Sequence, residues 1–169
     1  MEGVTDQPVT HEVLDSTRLD GLYRMHATRA KRTAFLLTGD AEAAADVVHD
    51  AFVRLAGRFV DVRHPEVFAA YLRRTIVSLV RTGHRSATRE RRHLERHGAP
   101  SEAIEVDVAG GLAVRDALMK LTMRQRAAVV LRYYEDLPEA EIADALRCRP
   151  GTVKSLLSRG LDVLREELR

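Results

Sequence analysis

The sequence predicts an all-α protein made of two small helical domains joined by a flexible acidic linker. Three observations carry this. No strand-length alternation of apolar and polar residues occurs, and aromatic residues are only 5% of the chain. Apolar residues recur instead at spacings of three and four on both sides of one interruption. That interruption, Gly98 to Gly111 (GAPSEAIEVDVAGG), gathers glycine, proline and acidic residues and has no helical period. The expected organisation is a polar tail over 1–18, a first domain over 19–97, the linker over 98–111 and a second domain over 112–169.

Each element follows from local chemistry. Leu19 to Leu37 reads as the first helix, stopped by Thr38-Gly39-Asp40, where Gly39 suits a C-terminal cap. A second helix runs from Asp40 to about Phe59, with Ala44, Val47, Val48, Ala51, Phe52 and Leu55 on one side. A loop over Val60 to Pro65 leads into a long helix, Glu66 to about Arg92, striped by Phe68, Tyr71, Leu72, Ile76, Leu79 and Val80. In the second domain Val114, Leu118 and Leu121 mark one helix. Thr122-Met123-Arg124-Gln125 is a capping box opening the next, which carries Val129, Val130, Leu131 and Tyr134 and ends near Asp136. Glu139 to Leu146 is a short helix, Arg147 to Arg149 a tight turn, and Pro150 to about Leu168 a final helix whose proline fits the first helical position.

Charge is segregated although the net charge is only +2. The tail is net −3, the first domain +6, the linker −3 and the second domain +2. Residues 73–97 hold eight Arg against two Glu, so the basic excess is a local arm. No apolar run nears the roughly 20 residues of a membrane span, and the polar start lacks the pattern of a secretory signal. A single cysteine, Cys148, excludes an internal disulfide framework and a cysteine zinc cluster, and is expected to be a small buried filler. A cytoplasmic protein without membrane insertion is expected. His93 and His97 have helical metal-ligand spacing, but no carboxylate or thiol completes a set, so no metal or cofactor is expected. Ser155 and Ser158 lack a patterned base and acid, and no phosphate-cradling glycine loop occurs, so no catalytic residues are assigned.

Pro138 to Leu157 has helix-turn-helix spacing. Ala143 is the small residue where the second helix passes, and Ile142, Leu146, Val153 and Leu157 are the apolar pins. Thr152, Lys154, Ser155, Ser158 and Arg159 then share the outer face, the residue types that read base edges and phosphates. Spacing alone fits an ordinary helical hairpin with a solvated polar face equally well. Arg73, Arg74, Arg81, Arg85, Arg89, Arg91 and Arg92 form a cationic arm suited to phosphates.

The second domain resembles region 4 of sigma-70-family factors of the extracytoplasmic-function group. The resemblance rests on Leu121-Thr122-Met123-Arg124-Gln125-Arg126, on Val130 to Leu137 (VLRYYEDL), on Glu141-Ile142-Ala143, on Pro150 to Ser155 (PGTVKS), and on Ser158-Arg159. The first domain resembles region 2 through Leu36-Leu37-Thr38-Gly39-Asp40, Ala45 to Phe52 (ADVVHDAF) and Tyr71-Leu72-Arg73-Arg74-Thr75-Ile76. The resemblance implies a non-catalytic specificity subunit that binds core RNA polymerase, recognises −35 and −10 elements and assists DNA melting. It implies −35 contacts from Arg126, Arg147, Arg149, Thr152, Lys154, Ser155, Ser158 and Arg159. It implies −10 and melting contacts from Asp61, Arg63, His64, Arg73, Arg74, Arg81 and Arg85, with the loop capturing a flipped base. Asp46, His49, Asp50 and Phe52 would dock on the polymerase β′ coiled coil, region 4 on the β flap, and a cognate anti-sigma factor would restrain the protein. A stand-alone helix-turn-helix regulator is the alternative; it leaves the basic arm and the acidic second helix unexplained.

Departures from the family pattern are expected to matter. Arg147 stands where glycine is usual in the turn, Arg149 replaces the N-cap serine, and Leu156 replaces an arginine. Ser78 and His49 replace the usual Asn and Gln, and the chain has no tryptophan. The missing tryptophans suggest modest melting power and dependence on well-matched promoters. Permanganate footprinting showing tolerant opening on mismatched promoters would contradict this.

Overall fold

The computed structural model describes the backbone of residues 10–56, 65–83 and 110–169. Among the described residues it is helical throughout: α1 (Thr10–Thr38), α2 (Ala41–Ala56), α3 (Pro65–Arg81), α4 (Gly110–Lys120), α5 (Met123–Tyr133), α6 (Glu139–Leu146) and α7 (Pro150–Glu167). The Asp61, Arg63 and His64 loop, Arg85 and the rest of the arm beyond it, His93, His97 and most of the linker lie outside the described residues.

α1 starts at Thr10, nine residues before Leu19, where the sequence places its beginning, since an established helix adds one hydrogen bond per residue at little cost. It buries Ala27, Ala30, Ala34 and Leu37, which recur at spacings of three and four. Gly39 ends it in the left-handed region at φ +70, with its N–H donating to Phe35 O at 2.7 Å. Asp40 then caps α2, its Oδ1 accepting from Ala43 N at 2.8 Å. α2 buries the six apolar residues expected of it.

α3 corrects the expectation of one helix continuing to Arg92. It ends at Arg81, because Gly83 adopts φ +68 and the Gly83 N–H turns back to Val80 O at 3.3 Å. Tyr71 departs from the expected stripe and is 46% exposed.

Phe52, Phe68, Tyr23 and His26 form an aromatic stack at the heart of the first domain. Phe52 lies 4.9 Å from Tyr23 and 5.6 Å from Phe68, and His26 lies 5.5 Å from Phe68.

In the second domain the capping box forms as expected: Gln125 N donates to Thr122 Oγ1, and Thr122 N to Gln125 Oε1. α7 packs across α5 and α6 with Val153 and Leu157 inward against Ile142, Ala143 and Leu146. Gly160 is a second close crossing, since a Cβ there would lie 3.0 Å from Val129 Cγ2. Val114 faces solvent, contrary to its expected place on the buried side of α4. Cys148 is half-buried rather than buried.

The two domains also pack on each other. α1 touches α4 and α5, α3 touches α5 and α6, and one apolar cluster runs through both.

Candidate nucleic-acid interface

α6, its turn and α7 build the helix-turn-helix. Glu139 and Glu141 in the first turn of α6 complement its dipole. The helix closes at Arg147, which adopts φ 50, ψ 55, the left-handed geometry that favours glycine. The Cys148 N–H reaches Ala143 O at 2.9 Å and fixes the turn. Arg149 is the N-cap of α7 and contributes no side-chain cap; Pro150 occupies the first turn. The leading amides of α7 are thus left without a side-chain acceptor, with two exposed guanidiniums beside them. An uncapped helix start with flanking cations suits a phosphate oxygen.

Thr152, Lys154, Ser155, Ser158 and Arg159 are all exposed, on the face opposite Val153, Leu157 and Gly160. Ser155 Oγ donates to Gly151 O at 3.2 Å, which leaves its oxygen able to accept. Lys154 Nζ stands 4.0 Å from Glu139 Oε2 in a solvent-exposed pair, weak enough to exchange for a phosphate. Seven of the eight residues expected at the −35 element are thereby brought to one surface.

The eighth, Arg126, stands elsewhere. Its guanidinium donates to Leu118 O at 2.9 Å, Leu121 O at 3.0 Å, Met119 O at 3.4 Å and, across to the first domain, Leu37 O at 2.7 Å. In this arrangement Arg126 is a clamp on helix-end carbonyls.

In the first domain Arg74 and Arg81 are exposed, whereas Arg73 is half-buried and its Nη1 lies 3.9 Å from Glu135 Oε2. His26 is beside it, and burial first, then the Arg73 charge, lowers its pKa below 6.5. On α2, Asp46, His49 and Asp50 lie on the side away from the core. Phe52 does not join them: it is 5% exposed and inside the aromatic stack, so it can only hold that face in place. Val53, 60% exposed, extends the same stripe and was missed, although its spacing from His49 and Asp50 marks it.

Also missed was Glu135, a buried carboxylate bonded to Arg29 and Thr33 of the first domain. No local pattern signals it, since its partners are over 100 residues away. No group of three or more metal-ligating side chains occurs among the described residues, and none of their helices is long and apolar enough to cross a membrane.

Comparison with known proteins identifies both domains. Residues 22–90 match sigma-70 region 2, and residues 111–164 match sigma-70 region 4. The chain is 34% identical over 138 residues to RNA polymerase sigma-E factor of Streptomyces coelicolor, covering 81% of this chain and 78% of that one. It is 30% identical over 163 residues to the ECF RNA polymerase sigma factor SigL of Mycobacterium tuberculosis, covering 89% of each. It is 31% identical to ECF RNA polymerase sigma factor SigE of Mycolicibacterium smegmatis, covering 97% of this chain and 69% of that one. Among solved structures, the sigma factor RpoE of Bartonella quintana, crystallised with the anti-sigma factor NepR, shares the fold at a TM-score of 0.67 and 22% identity, covering 86% of this chain and 93% of that one. Two family regions in the right order, each on a helical domain with the matching exposed surface, place this chain in the sigma-70 family, extracytoplasmic-function group, the subunits that direct RNA polymerase to promoters.

Proposed function

We propose that this sigma factor divides promoter recognition between the two surfaces just described. The observation that carries the reading is the α7 face: five exposed polar or cationic side chains beside an uncapped, doubly arginine-flanked helix start. That face reads the −35 element, with Arg147 and Arg149 on phosphates and Thr152, Lys154, Ser155, Ser158 and Arg159 over the major groove. Arg73, Arg74, Arg81 and Arg85, with Asp61, Arg63 and His64, serve the −10 element and the separated strand. The Asp46, His49 and Asp50 stripe docks on the β′ coiled coil of core polymerase, and the second domain meets the β flap. The acidic linker passes toward the polymerase cleft, where its carboxylates mimic nucleic acid. The protein adds specificity rather than chemistry and works in the cytoplasm. Restraint by a cognate anti-sigma factor fits the Bartonella relative, which was crystallised with one.

Run-off transcription with purified core polymerase and a library of promoter fragments tests this. Specific transcripts that require the protein are expected, and Lys154→Ala or Arg159→Ala should reduce them without weakening polymerase binding. DNA binding without polymerase association would overturn the proposal in favour of a stand-alone regulator.

A further inference from the structure

The seam between the two domains holds a charged device that promoter recognition does not call for. Glu135 follows α5 in the second domain, and its side chain is 2% exposed. Among the described residues, every side-chain partner of that carboxylate comes from the first domain. Arg29 Nε donates to Oε2 at 2.9 Å, the Thr33 hydroxyl donates to Oε1, and Arg73 Nη1 stands 3.9 Å from Oε2. Arg29 Nη2 also reaches Tyr134 O and Glu135 O, each at 3.4 Å. At the other end of the seam two arginines of the second domain hold the C-terminal end of α1. Arg115 Nε donates to Gly39 O at 2.8 Å and Arg126 Nη1 to Leu37 O at 2.7 Å.

A groove of about 130 Å³, open to solvent, lies between Ala70, Tyr71, Arg73 and Arg74 of α3 and Leu137, Glu141, Asp144 and Ala145 around α6. The apolar contact between the domains is thus bordered by buried charge, and opening it returns the carboxylate and the guanidiniums to water. The socket has a second meaning. Two arginines and a hydroxyl converging on one anion form a phosphate site by chemistry, and Arg73 belongs to the set expected to hold promoter DNA. With Glu135 in the socket, Arg73 faces a carboxylate instead of a phosphodiester, and among the described residues its Nε is buried without a hydrogen-bond partner.

We infer that Glu135 is an intramolecular latch that stands in for a DNA phosphate in the Arg29–Thr33–Arg73 socket, holding the free protein closed until promoter DNA takes its place. The inference rests on the sigma-factor reading for its ligand and on the structure for its geometry. It adds Arg29 to the cations that face DNA once the domains separate. It also makes opening and DNA binding one coupled equilibrium, because the two anions compete for the same donors.

The test uses the full chain. Labels at Arg24→Cys and Glu166→Cys, with Cys148→Ser, report the distance between domains in the free protein by pulsed electron spin resonance. Glu135→Gln keeps the shape and removes the charge; Asp136→Asn makes the same charge change one residue along, at an exposed site whose left-handed backbone asparagine accepts. Wild type and Asp136→Asn are expected to give one short distance, and Glu135→Gln a longer, broader population. Glu135→Gln should bind a forked promoter DNA without polymerase at least about fivefold more tightly than Asp136→Asn. Arg29→Ala, at a side chain 59% exposed, covers the case in which Glu135→Gln misfolds by circular dichroism. It should open the domains yet gain no DNA affinity, having lost a phosphate contact. Unchanged distances in Glu135→Gln or, if that variant misfolds, in Arg29→Ala overturn the latch; opening of Glu135→Gln with no DNA gain over Asp136→Asn overturns the phosphate mimicry. The distance is read on the free protein, so it decides the latch even if run-off transcription refutes the sigma-factor reading.

Discussion

Replacing Arg147 by glycine should make the protein more stable and its promoter contact weaker, and both magnitudes can be worked from the turn. Arg147 sits at φ 50, ψ 55. A residue with a Cβ pays roughly 1–2 kcal/mol for that geometry. Glycine removes the strain but has more freedom to lose on folding, which returns about 0.5–1 kcal/mol. The net expectation is stabilisation by about 0.5–1 kcal/mol, which for a chain of this size raises Tm by roughly 1–4 °C. Nothing else offsets it, because the side chain is exposed and makes no hydrogen bond or ion pair among the described residues. Arg147→Asn should fall between, since asparagine tolerates the left-handed region better than most residues. On DNA, losing one phosphate contact lowers the slope of log affinity against log salt by about 0.9. Thermal unfolding followed by circular dichroism gives the first quantity. Holoenzyme binding to a −35 fragment over a salt series gives the second. An Arg147→Gly protein that melts at or below the wild-type temperature would refute the strain argument. An unchanged salt slope would refute the phosphate assignment.

Three further outcomes are expected. Thr122→Ala breaks the capping box at α5 and should cost about 1 kcal/mol in denaturant unfolding, with Thr122→Ser restoring most of it. Gly39→Ala combines a left-handed φ of +70 with a Cβ 2.5 Å from Met119 Sδ, so it should destabilise by more than about 1 kcal/mol; adding Met119→Ala should relieve the collision but not the backbone strain. His26 is held neutral by burial and by Arg73, with its pKa lowered from 6.5. The unfolded chain therefore takes up its proton first on acidification. Its contribution is complete above about pH 6.5 and is lost as pH falls toward the lowered value, a loss that urea midpoints across this range should show and His26→Gln should flatten.

What could be read ahead of the structure was local. The capping box at Thr122, the pins Ile142, Leu146, Val153 and Leu157, and the strained turn at Arg147 each depend on residues a few positions apart. The end of α3 was equally local but was outvoted: the arginine-rich stretch beyond Gly83 continues a helical pattern, while the glycine adopts a conformation that stops one. Arg126 went the other way. Its motif marked it for DNA, but a guanidinium with five donors beside several open helix-end carbonyls is drawn to them, and those carbonyls converge only in the folded chain. Glu135 was unreadable for the same reason: the Thr33 hydroxyl that meets it lies 102 residues away, and the acidic stretch around it looks like any solvated turn. For Phe52 spacing and resemblance pointed different ways: spacing put it with the apolar side of α2, where the structure buries it, while its docking role came from the resemblance alone.

That sequence separation has a consequence for biosynthesis. Arg29, Thr33 and Arg73 leave the ribosome long before Glu135 does, and domains fold in the order they emerge. Closing a loop of this length costs little more than closing a shorter one, so the seam is limited by the arrival of the second domain, not by finding it. There is thus an interval in translation when the first domain is folded and its cationic socket is empty of its own carboxylate. Ribosome-bound chains stopped before residue 135 should bind a phosphodiester probe through this socket more tightly than finished chains do. On the latch proposed above, chain polarity alone then presents the cationic socket first and fills it second.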